Sequence, residues 1–262
     1  MEGKLLHALI IGDVVGHPGL AAVADGIEDL KAERPIDLIV ANGENSDKGF
    51  GLSEKSYHAL KESGVDVITL GNHAWDKKEI FGFIDNAEDI VRPANYPPGT
   101  PGRGWTCVNV GDEPVAVLQL MGRTFLNIGD CPFQAAERDL KAIFSRARIV
   151  IVDMHGEATA DKLAMAYHLD GRVAAVLGTH THVQTADEQI LPGGTGYISD
   201  IGMCGPVHSV LGMRPELSLR RIRDQLPVRF EVADGPTVFC AVWLAIDPAT
   251  GLTKHIERIQ IK

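Results

Sequence analysis

The sequence predicts an α/β protein whose first sheet is largely parallel and whose last third is rich in β-strands. Short continuous apolar runs alternate with helix-like stretches over the first two thirds of the chain, as expected for parallel strands covered on both faces. The pattern then changes to strand-like runs joined by turns, which suits antiparallel pairing. Since the 262 residues contain no repeat or linker-like stretch, we expect a single domain spanning residues 1–262.

The predicted elements follow one another in a regular alternation. Six apolar runs are predicted as strands of the first part: Leu5–Gly12, Asp37–Ala41, Asp66–Leu70, Val115–Leu120, Ile149–Asp153 and Ala174–Gly178. Five helices are predicted between them: Gly19–Arg34, Ser53–Ser63, Lys77–Asn86, Gln134–Arg146 and Ala160–Leu169. Four further strands are predicted in the last third: Gly196–Ser199, Val228–Val232, Thr237–Ile246 and His255–Ile261.

Composition and charge exclude several classes of protein. An apolar fraction of 45% and a charged fraction of 23% are typical of globular domains and exclude intrinsic disorder and coiled coils. A net charge of −10 argues against stable binding to duplex DNA or to an anionic membrane, because both need a basic surface. The sequence lacks an apolar run long enough to span a bilayer and a recognisable signal peptide. Four cysteines without a C-x-x-C pair favour a cytoplasmic location.

Polar side chains cluster where five of the predicted strands end. In open α/β sheets such strand ends meet at one edge, where ligands bind. The donors are carboxylates, amides and imidazoles without a thiolate, which suits transition metals. Seven candidates exceed the needs of one catalytic ion, so we expect two divalent ions, as in sites that transfer phosphoryl groups. The candidate ligands are Asp13, Glu44, Asn45, Asn72, His155, His180 and His182.

Each candidate also has an ordinary structural interpretation. Asp13 alone also suits a helix cap. Glu44, Asn45 and Asn72 alone suit turn residues. A lone His155 is more often a half-buried structural histidine. His180 and His182 lie two residues apart at a predicted strand end, so we expect their side chains to point the same way. The metal interpretation is favoured because the alternatives require five coincidences at equivalent strand ends.

Two motifs carry a resemblance to a known superfamily. Gly71–His73 and Gly178–His182 resemble the GNH and GHxH motifs of calcineurin-like metallophosphoesterases. The usual D-x-H opening reads Asp13-Val14-Val15 here, and Asn42-Gly43-Glu44-Asn45 replaces the usual GDxxD element. Together with Arg92–Tyr96 and Gly193–Gly196, these departures make the whole chain similar to the YmdB-like branch of that superfamily.

The resemblance implies a four-layer α/β/β/α sandwich and a particular distribution of ligands. By this resemblance, Glu44 is expected to bridge two metals, with Fe or Mn as the expected metals. Asn45 touches the first metal or a bound phosphate, and His73 is the catalytic acid. The remaining ligands divide into Asp13 and His182 for the first metal, and Asn72, His155 and His180 for the second.

The implied reaction is hydrolysis of a small phosphodiester, with 2′,3′-cyclic nucleotides as the first candidate and 3′,5′-cyclic nucleotides as another. The expected mechanism is attack by a hydroxide that bridges the metals, with His73 as general acid. Two alternatives stay open. One is a phosphomonoesterase or nuclease that uses the same site, and the other is a regulatory, RNA-associated metal protein with slow turnover. The sequence assigns no substrate-binding residue and leaves the oligomeric state open, a homo-oligomer included.

Overall fold

The computed structural model describes residues 4–126 and 129–262. Within these residues there are thirteen strands: β1 (Leu6–Val14), β2 (Leu38–Asn42), β3 (Val67–Thr69), β4 (Ile90–Val91), β5 (Trp105–Val110), β6 (Glu113–Met121), β7 (Ile149–His155), β8 (Ala175–Thr179), β9 (Gln189–Ile190), β10 (Gly196–Ile198), β11 (Met203–Pro206), β12 (Thr237–Asp247) and β13 (Leu252–Ile261). The same residues include five α-helices: α1 (Gly16–Glu33), α2 (Glu54–Glu62), α3 (Pro132–Ile143), α4 (Thr159–Leu169) and α5 (Pro215–Ile222).

The strands form two sheets. The first has the order β13-β12-β11-β1-β2-β3-β4, and β12 also pairs with β1. Its members from β11 to β4 are parallel, whereas β12 runs antiparallel to β1, β11 and β13. The second sheet has the order β5-β6-β7-β8-β10-β9, with β6, β7, β8 and β10 parallel and the two outer strands antiparallel. The prediction of a largely parallel first sheet is confirmed.

Alternating side chains on the strands divide the core into layers. Ile10 of β1 faces an apolar core shared by the two sheets, while its neighbour Ile11 packs on the opposite face with Ile27 of α1. On the second sheet, Val150 of β7 packs with Met165 of α4 in a separate cluster. Helices therefore cover the outer face of each sheet, which gives the four layers α/β/β/α that the family resemblance implied.

The helix predicted over Lys77–Asn86 is wrong. Only a short 3₁₀ helix, Lys78–Gly82, forms there. Ile80 and Ile84 are both fully buried, and their spacing of four residues imitates the buried stripe of a helix. The segment instead continues as turns after Gly82, a residue that disfavours a helix interior.

The last third also differs from the prediction. Val228–Val232 does not form a strand, although its side chains alternate between half-buried and exposed. Phe230 and Val232 pack on a small cluster that contains Val15 and Met213, and only one isolated bridge, between Met213 and Val232, joins this segment to another. Tertiary packing thus accounts for the alternation. In addition, β10 pairs with β8 in parallel rather than antiparallel.

Five elements were not anticipated from the sequence. Most are too short to show a hydrophobic period. These elements are β4, β5, β9, β11 and α5. In the described part of the chain, no helix is long and apolar enough to cross a membrane.

Buried hydrogen bonds join the two sheets close to the carboxyl ends of their strands. Asp153 on β7 accepts hydrogen bonds from Thr69 Oγ1 at 2.5 Å and from Asn42 Nδ2 at 3.4 Å, both on the first sheet. All three side chains are buried. The strand ends of both sheets are therefore held next to each other, which places their polar loops at one edge of the sandwich.

Candidate active site

Lone-pair donors converge on one buried point at this edge. His155 Nε2 lies 2.9 Å from Glu44 Oε1 and 2.9 Å from Asn72 Oδ1. The same nitrogen lies 3.1 Å from His180 Nδ1. Ligand atoms that sit about 2.1 Å from one ion, in directions at right angles, are about 3 Å apart. Glu44, His155 and His180 accordingly form a group that can hold a metal ion.

The outer nitrogen of each site histidine is held by an acceptor. His155 Nδ1 lies 2.9 Å from Thr179 Oγ1, and that hydroxyl donates its own proton to Asp153 at 2.6 Å. The hydroxyl can therefore only accept from His155, which fixes a proton on Nδ1 and makes Nε2 the nitrogen that would bind a metal once the ring is neutral. Acceptors of this kind, placed behind the ligand, are a regular feature of histidines that bind metals.

His180 and His182 follow the same rule with different acceptors. His180 Nε2 is 3.0 Å from the carboxylate of Glu157, so Nδ1 is the nitrogen that faces His155. His182 Nδ1 is 3.0 Å from the carbonyl oxygen of Leu211, which leaves Nε2 on the side of Asp13. Three imidazoles thus direct one ring nitrogen, the atom that would bind a metal, to the interior of the cluster.

A second group of atoms lies beside the first. Asp13 is fully buried, and its Oδ2 accepts a hydrogen bond from the backbone N–H of His180 at 3.1 Å. Its Oδ1 lies 4.0 Å from His182 Nε2 and has no hydrogen-bond partner among the described residues. Asn45 Oδ1 is also buried without a partner in that part of the chain, while Asn45 Nδ2 donates to the carbonyl of Gly49.

The buried oxygens of Asp13 and Asn45 that have no partner within the described ranges indicate whether this site suits metal ions. A buried carboxylate or amide oxygen without a partner costs free energy, and a cation would remove that cost. The donor set of carboxylate, amide and imidazole groups matches the divalent transition metals. The residues at this site therefore fit a divalent metal centre.

The charges of the site are strongly coupled. Burial acts to raise the pKa of the Glu44 carboxyl, but the charges and hydrogen bonds of His155 and His73 together outweigh burial and lower that pKa well below its usual range. Burial of His180, followed by the charge of His155, lowers the pKa of His180 to about 3. His180 is therefore neutral at physiological pH, as a metal ligand must be. Burial raises the pKa of Asp13 to about 6 against the opposing effects of His182 and His155.

His73 is placed apart from the cluster of ligands and next to its cavity. Its backbone N–H donates to Glu44 Oε2 at 2.8 Å, while its Nδ1 lies 2.9 Å from Asp76 Oδ2. The imidazole packs edge-on against Phe50, with 5.0 Å between ring centroids. Because Asp76 accepts from Nδ1, Nε2 is the nitrogen left to hold or transfer a proton.

The loop after β8 brings His180 and His182 together by a route that the sequence did not predict. The strand ends at Thr179, so alternation along a strand does not align the two histidines. Both have positive φ angles, 105° for His180 and 65° for His182, which few non-glycine residues adopt. A nearby glycine is equally constrained, since a Cβ on Gly71 would lie 2.4 Å from the His155 ring.

A cavity of about 330 Å³ opens from this cluster. Polar ligands form one side of it, and apolar side chains form the other. Seven of the eight predicted site residues belong to the cluster or contact it, and the eighth, Asn45, follows Glu44 in the cavity lining. The residues that line the cavity are Glu44, Asn45, His73, His180 and His182.

Sequence reasoning missed the residues that orient the ligands. Asp153 is the last residue of one predicted strand and Thr179 directly follows another, so both look like ordinary residues of a strand end. Glu157 and Asp76 carried a weak signal, because each is an acidic residue two or three positions after a candidate histidine.

Comparisons with known proteins agree on one family. The sequence model of a family described as YmdB-like protein matches residues 9–259. A 2′,3′-cyclic-nucleotide 2′-phosphodiesterase of Bacillus subtilis (strain 168) is 49% identical over 256 residues, which cover 98% of this chain and 97% of that protein.

Solved structures give the same result. The crystal structure of a hypothetical protein from Thermus thermophilus has a TM-score of 0.92 at 44% identity, covering 98% of this chain and 99% of that one. The crystal structure of a novel phosphatase from Mycoplasma pneumoniae has a TM-score of 0.93 at 33% identity, covering 100% and 94% of the respective chains.

The four-layer fold and the cluster at its edge define an enzyme of the phosphoesterase class, with a metallophosphoesterase fold. Within that class, the chain belongs to the YmdB-like family, whose model it matches over nearly its whole length. The resemblance inferred from the motifs is thereby confirmed.

Proposed function

We propose that this protein is a metal-dependent phosphodiesterase that opens the phosphate ring of 2′,3′-cyclic nucleotides at the 2′ oxygen. The observation that carries the proposal is the convergence of four lone-pair donors on one buried point, beside a cavity lined by His73. The name of the Bacillus subtilis relative, a 2′,3′-cyclic-nucleotide 2′-phosphodiesterase, supports the choice of substrate.

Two divalent ions fit the distribution of donors, with Fe or Mn as the first candidates. Asp13, Glu44, Asn45 and His182 would hold one ion, and Glu44 with the remaining ligands would hold the other. Those remaining ligands are Asn72, His155 and His180. When bound, such ions supply Lewis-acid charge and lower the pKa of water, which favours displacement at phosphorus.

The protein side chains supply orientation and proton transfer. Glu44 holds both the ligand cluster and the backbone of His73, so the proposed acid is fixed relative to the ligands. Asp76 fixes the orientation of the His73 ring through Nδ1. A proton on Nε2 can then pass to the leaving 2′ oxygen, which is the role of a general acid.

The charge of the site suits an anionic diester. Asp13 and Glu44 are the only carboxylates among the proposed ligands, so their two negative charges are outnumbered by those of two divalent cations. A phosphodiester monoanion is therefore attracted even though the whole chain carries a charge of −10. Local charge, rather than net charge, decides binding at this distance.

A phosphomonoesterase is the second candidate, because the similar Mycoplasma pneumoniae structure is described as a novel phosphatase. The same ligands could hold a phosphomonoester. The cavity, at about 330 Å³, lies at the small end of the range for ligand pockets and favours a mononucleotide over a polymer.

The test is product analysis with protein reconstituted with Mn(II) or Fe(II). We expect rapid conversion of 2′,3′-cyclic AMP to adenosine 3′-phosphate, slower conversion of 3′,5′-cyclic AMP, and a preference for bis-p-nitrophenyl phosphate over p-nitrophenyl phosphate. A preference for the monoester would instead establish the second candidate. Binding of the cyclic nucleotide without detectable product would indicate the slow regulatory protein.

A further inference from the structure

One wall of the active-site cavity has no place in the metal chemistry. It consists of Phe50, Met213 and Phe230, with Leu211 and Ile222 at the rim. The rings of Phe50 and Phe230 have their centroids 6.4 Å apart at an angle of 45°. This apolar wall adjoins the proposed acid, because Phe50 contacts the His73 ring.

The wall is anchored at its base and open at its rim. Met213 is 8% exposed and belongs to a small cluster with Val15 and Met203, against which Phe50 and Phe230 pack. At the rim, by contrast, Leu211 is 48% exposed and Ile222 on α5 is 72% exposed. Apolar side chains gathered at the mouth of a cavity are a usual feature of ligand sites.

Few side chains that line the cavity could form specific hydrogen bonds with the edge of a nucleobase. Apart from residues with proposed roles in metal binding or acid catalysis, the lining side chains that can form hydrogen bonds are Glu157, Thr181 and Ser218. Glu157 already holds His180. Strong discrimination between similar ligands requires buried polar groups that match one of them, whereas aromatic faces accept any planar base.

We propose that Phe50, Phe230 and Met213 form a platform for the nucleobase of the substrate, and that this platform accepts all four bases with similar affinity. The inference rests on the proposed function, since it names what binds next to the phosphate in the same site. Its physical basis is stacking of the base on the phenyl rings, with the ribose spanning the gap between the platform and the metal-ligand cluster.

Phe230 is the residue to test, because it belongs to the platform without contacting His73. We would compare the wild type with Phe230→Ala, Phe230→Leu and Phe230→Trp. The matched control is Phe144→Ala, which removes a phenylalanine that is 45% exposed at the end of α3. The substrates are the 2′,3′-cyclic phosphates of adenosine, guanosine, cytidine and uridine, and the base-free 2′,3′-cyclic phosphate of methyl riboside.

We expect wild-type kcat/KM for the four nucleotides to agree within about tenfold and to exceed that for the base-free compound. Phe230→Ala should lower the nucleotide values about 10- to 100-fold, a typical loss for one stacked base, and change the base-free value less than about threefold. Phe230→Trp should restore stacking, but Phe230→Leu should not. The affinity of Phe230→Ala for adenosine 3′-phosphate, measured by calorimetry on metal-loaded protein, should fall in parallel with its kcat/KM. The unfolding temperature of each variant shows whether it is folded.

Three results would overturn the proposal. Unchanged nucleotide kinetics in Phe230→Ala would place the base elsewhere. An equal loss on the base-free compound would make Phe230 merely structural. A wild-type preference above about 1,000-fold for one base would require specific hydrogen bonds. If the wild type hydrolyses the cyclic phosphates but neither the base nor Phe230 changes kcat/KM, the proposed function stands and only the platform fails. If it hydrolyses none of them, both fail.

Discussion

His155, His180 and His182 each use one ring nitrogen to fix the direction of the other. Their acceptors differ: a threonine hydroxyl backed by a buried carboxylate, an exposed carboxylate and a backbone carbonyl. The common result is one ring nitrogen that faces the ligand cluster and is placed to bind a metal. We infer that these acceptors matter for metal binding because they orient the candidate ligands. Thr179 is the most buried of them, so its replacement should weaken metal binding most.

Replacing Thr179 with valine should weaken metal binding about 10- to 100-fold, because His155 Nδ1 loses its acceptor and Asp153 loses a donor. The variant Thr179→Ser keeps the hydroxyl and should retain near wild-type affinity. Titration with Mn(II), followed by calorimetry, measures both. Equal affinity in Thr179→Val and the wild type would show that the hydroxyl does not orient His155.

Replacing His73 with alanine should lower kcat about 10²- to 10⁴-fold, the range for loss of a general acid, and leave metal content unchanged. Kinetics on 2′,3′-cyclic AMP and elemental analysis of the same sample provide the two readouts. His58→Ala, which removes a histidine on α2 away from the ligand cluster, is the control. If His73→Ala loses metal, His73 is a ligand rather than the acid.

At this scale the sequence predicted the candidate ligands that the structure brings together, but not the residues behind them. Asp13, Glu44 and His155 were found because polar residues at strand ends stand out against apolar runs. Thr179 is the last residue of β8, and its role depends on a partner 26 residues away, Asp153. Such pairing is a property of the folded chain, so local patterns could not reveal it.

At the scale of elements, a buried ion pair supports the loop that carries His180 and His182. Lys162 on α4 lies 2.8 Å from Asp200, and both side chains are at most 2% exposed. Asp200 also accepts hydrogen bonds from the backbone N–H groups of Thr181 and Gly202, each at 2.9 Å. Helix α4 therefore helps to fix the loop in which the two histidines have positive φ angles.

Replacing Lys162 with methionine should lower the free energy of unfolding by about 3–5 kcal/mol, because Asp200 would remain buried without its partner. The matched control is Lys254→Met, which breaks an exposed pair with Asp247 and should cost at most about 1 kcal/mol. Urea denaturation measures both. A loss below about 1 kcal/mol in Lys162→Met would mean that Asp200 is satisfied without the ion pair.

Elements were predictable where a hydrophobic period extends over enough residues. The strands β1, β2, β7 and β8 are buried along most of their length, and their apolar runs identified them. The errors arose where packing imitates a period. Ile80 and Ile84 imitate a helix, while Phe230 and Val232 imitate a strand.

At the scale of the whole molecule, metal binding and proton binding compete for the same buried group. Burial alone would lower the pKa of His155, but the carboxylates of Glu44, Asp13 and Asp153 together outweigh burial and raise the pKa to about 9. In the metal-free protein, the extra proton stabilises the fold fully below the ordinary pKa of 6.5, and that stabilisation is lost as pH rises through about 9. A cation must displace this proton.

Affinity for Mn(II) should therefore increase between about pH 6.5 and pH 9, with release of a proton on binding. Calorimetric titrations at several pH values, in buffers with different enthalpies of ionisation, measure both effects. The gain in unfolding temperature on addition of Mn(II) should rise over the same interval. An affinity that is constant across this range would show that His155 is already neutral in the metal-free protein.

The site limits what the net charge of −10 excludes. It argues against a broad basic surface for polyanions, but the proposed ions supply local positive charge for a small phosphodiester. We further propose that the two sheets fold as one domain, because they share one apolar core and hydrogen bonds join them next to the ligand cluster.

The metal content of protein purified without chelators, measured together with hydrolysis of 2′,3′-cyclic AMP, tests the proposed metal-dependent reaction most directly. We expect about two transition-metal ions per wild-type chain and rapid hydrolysis. We also expect loss of both ions and of activity in Glu44→Gln, which alters the proposed shared ligand. Wild-type protein that hydrolyses the substrate at full rate without bound metal, or a Glu44→Gln variant that retains two ions and full activity, would contradict the proposed reaction.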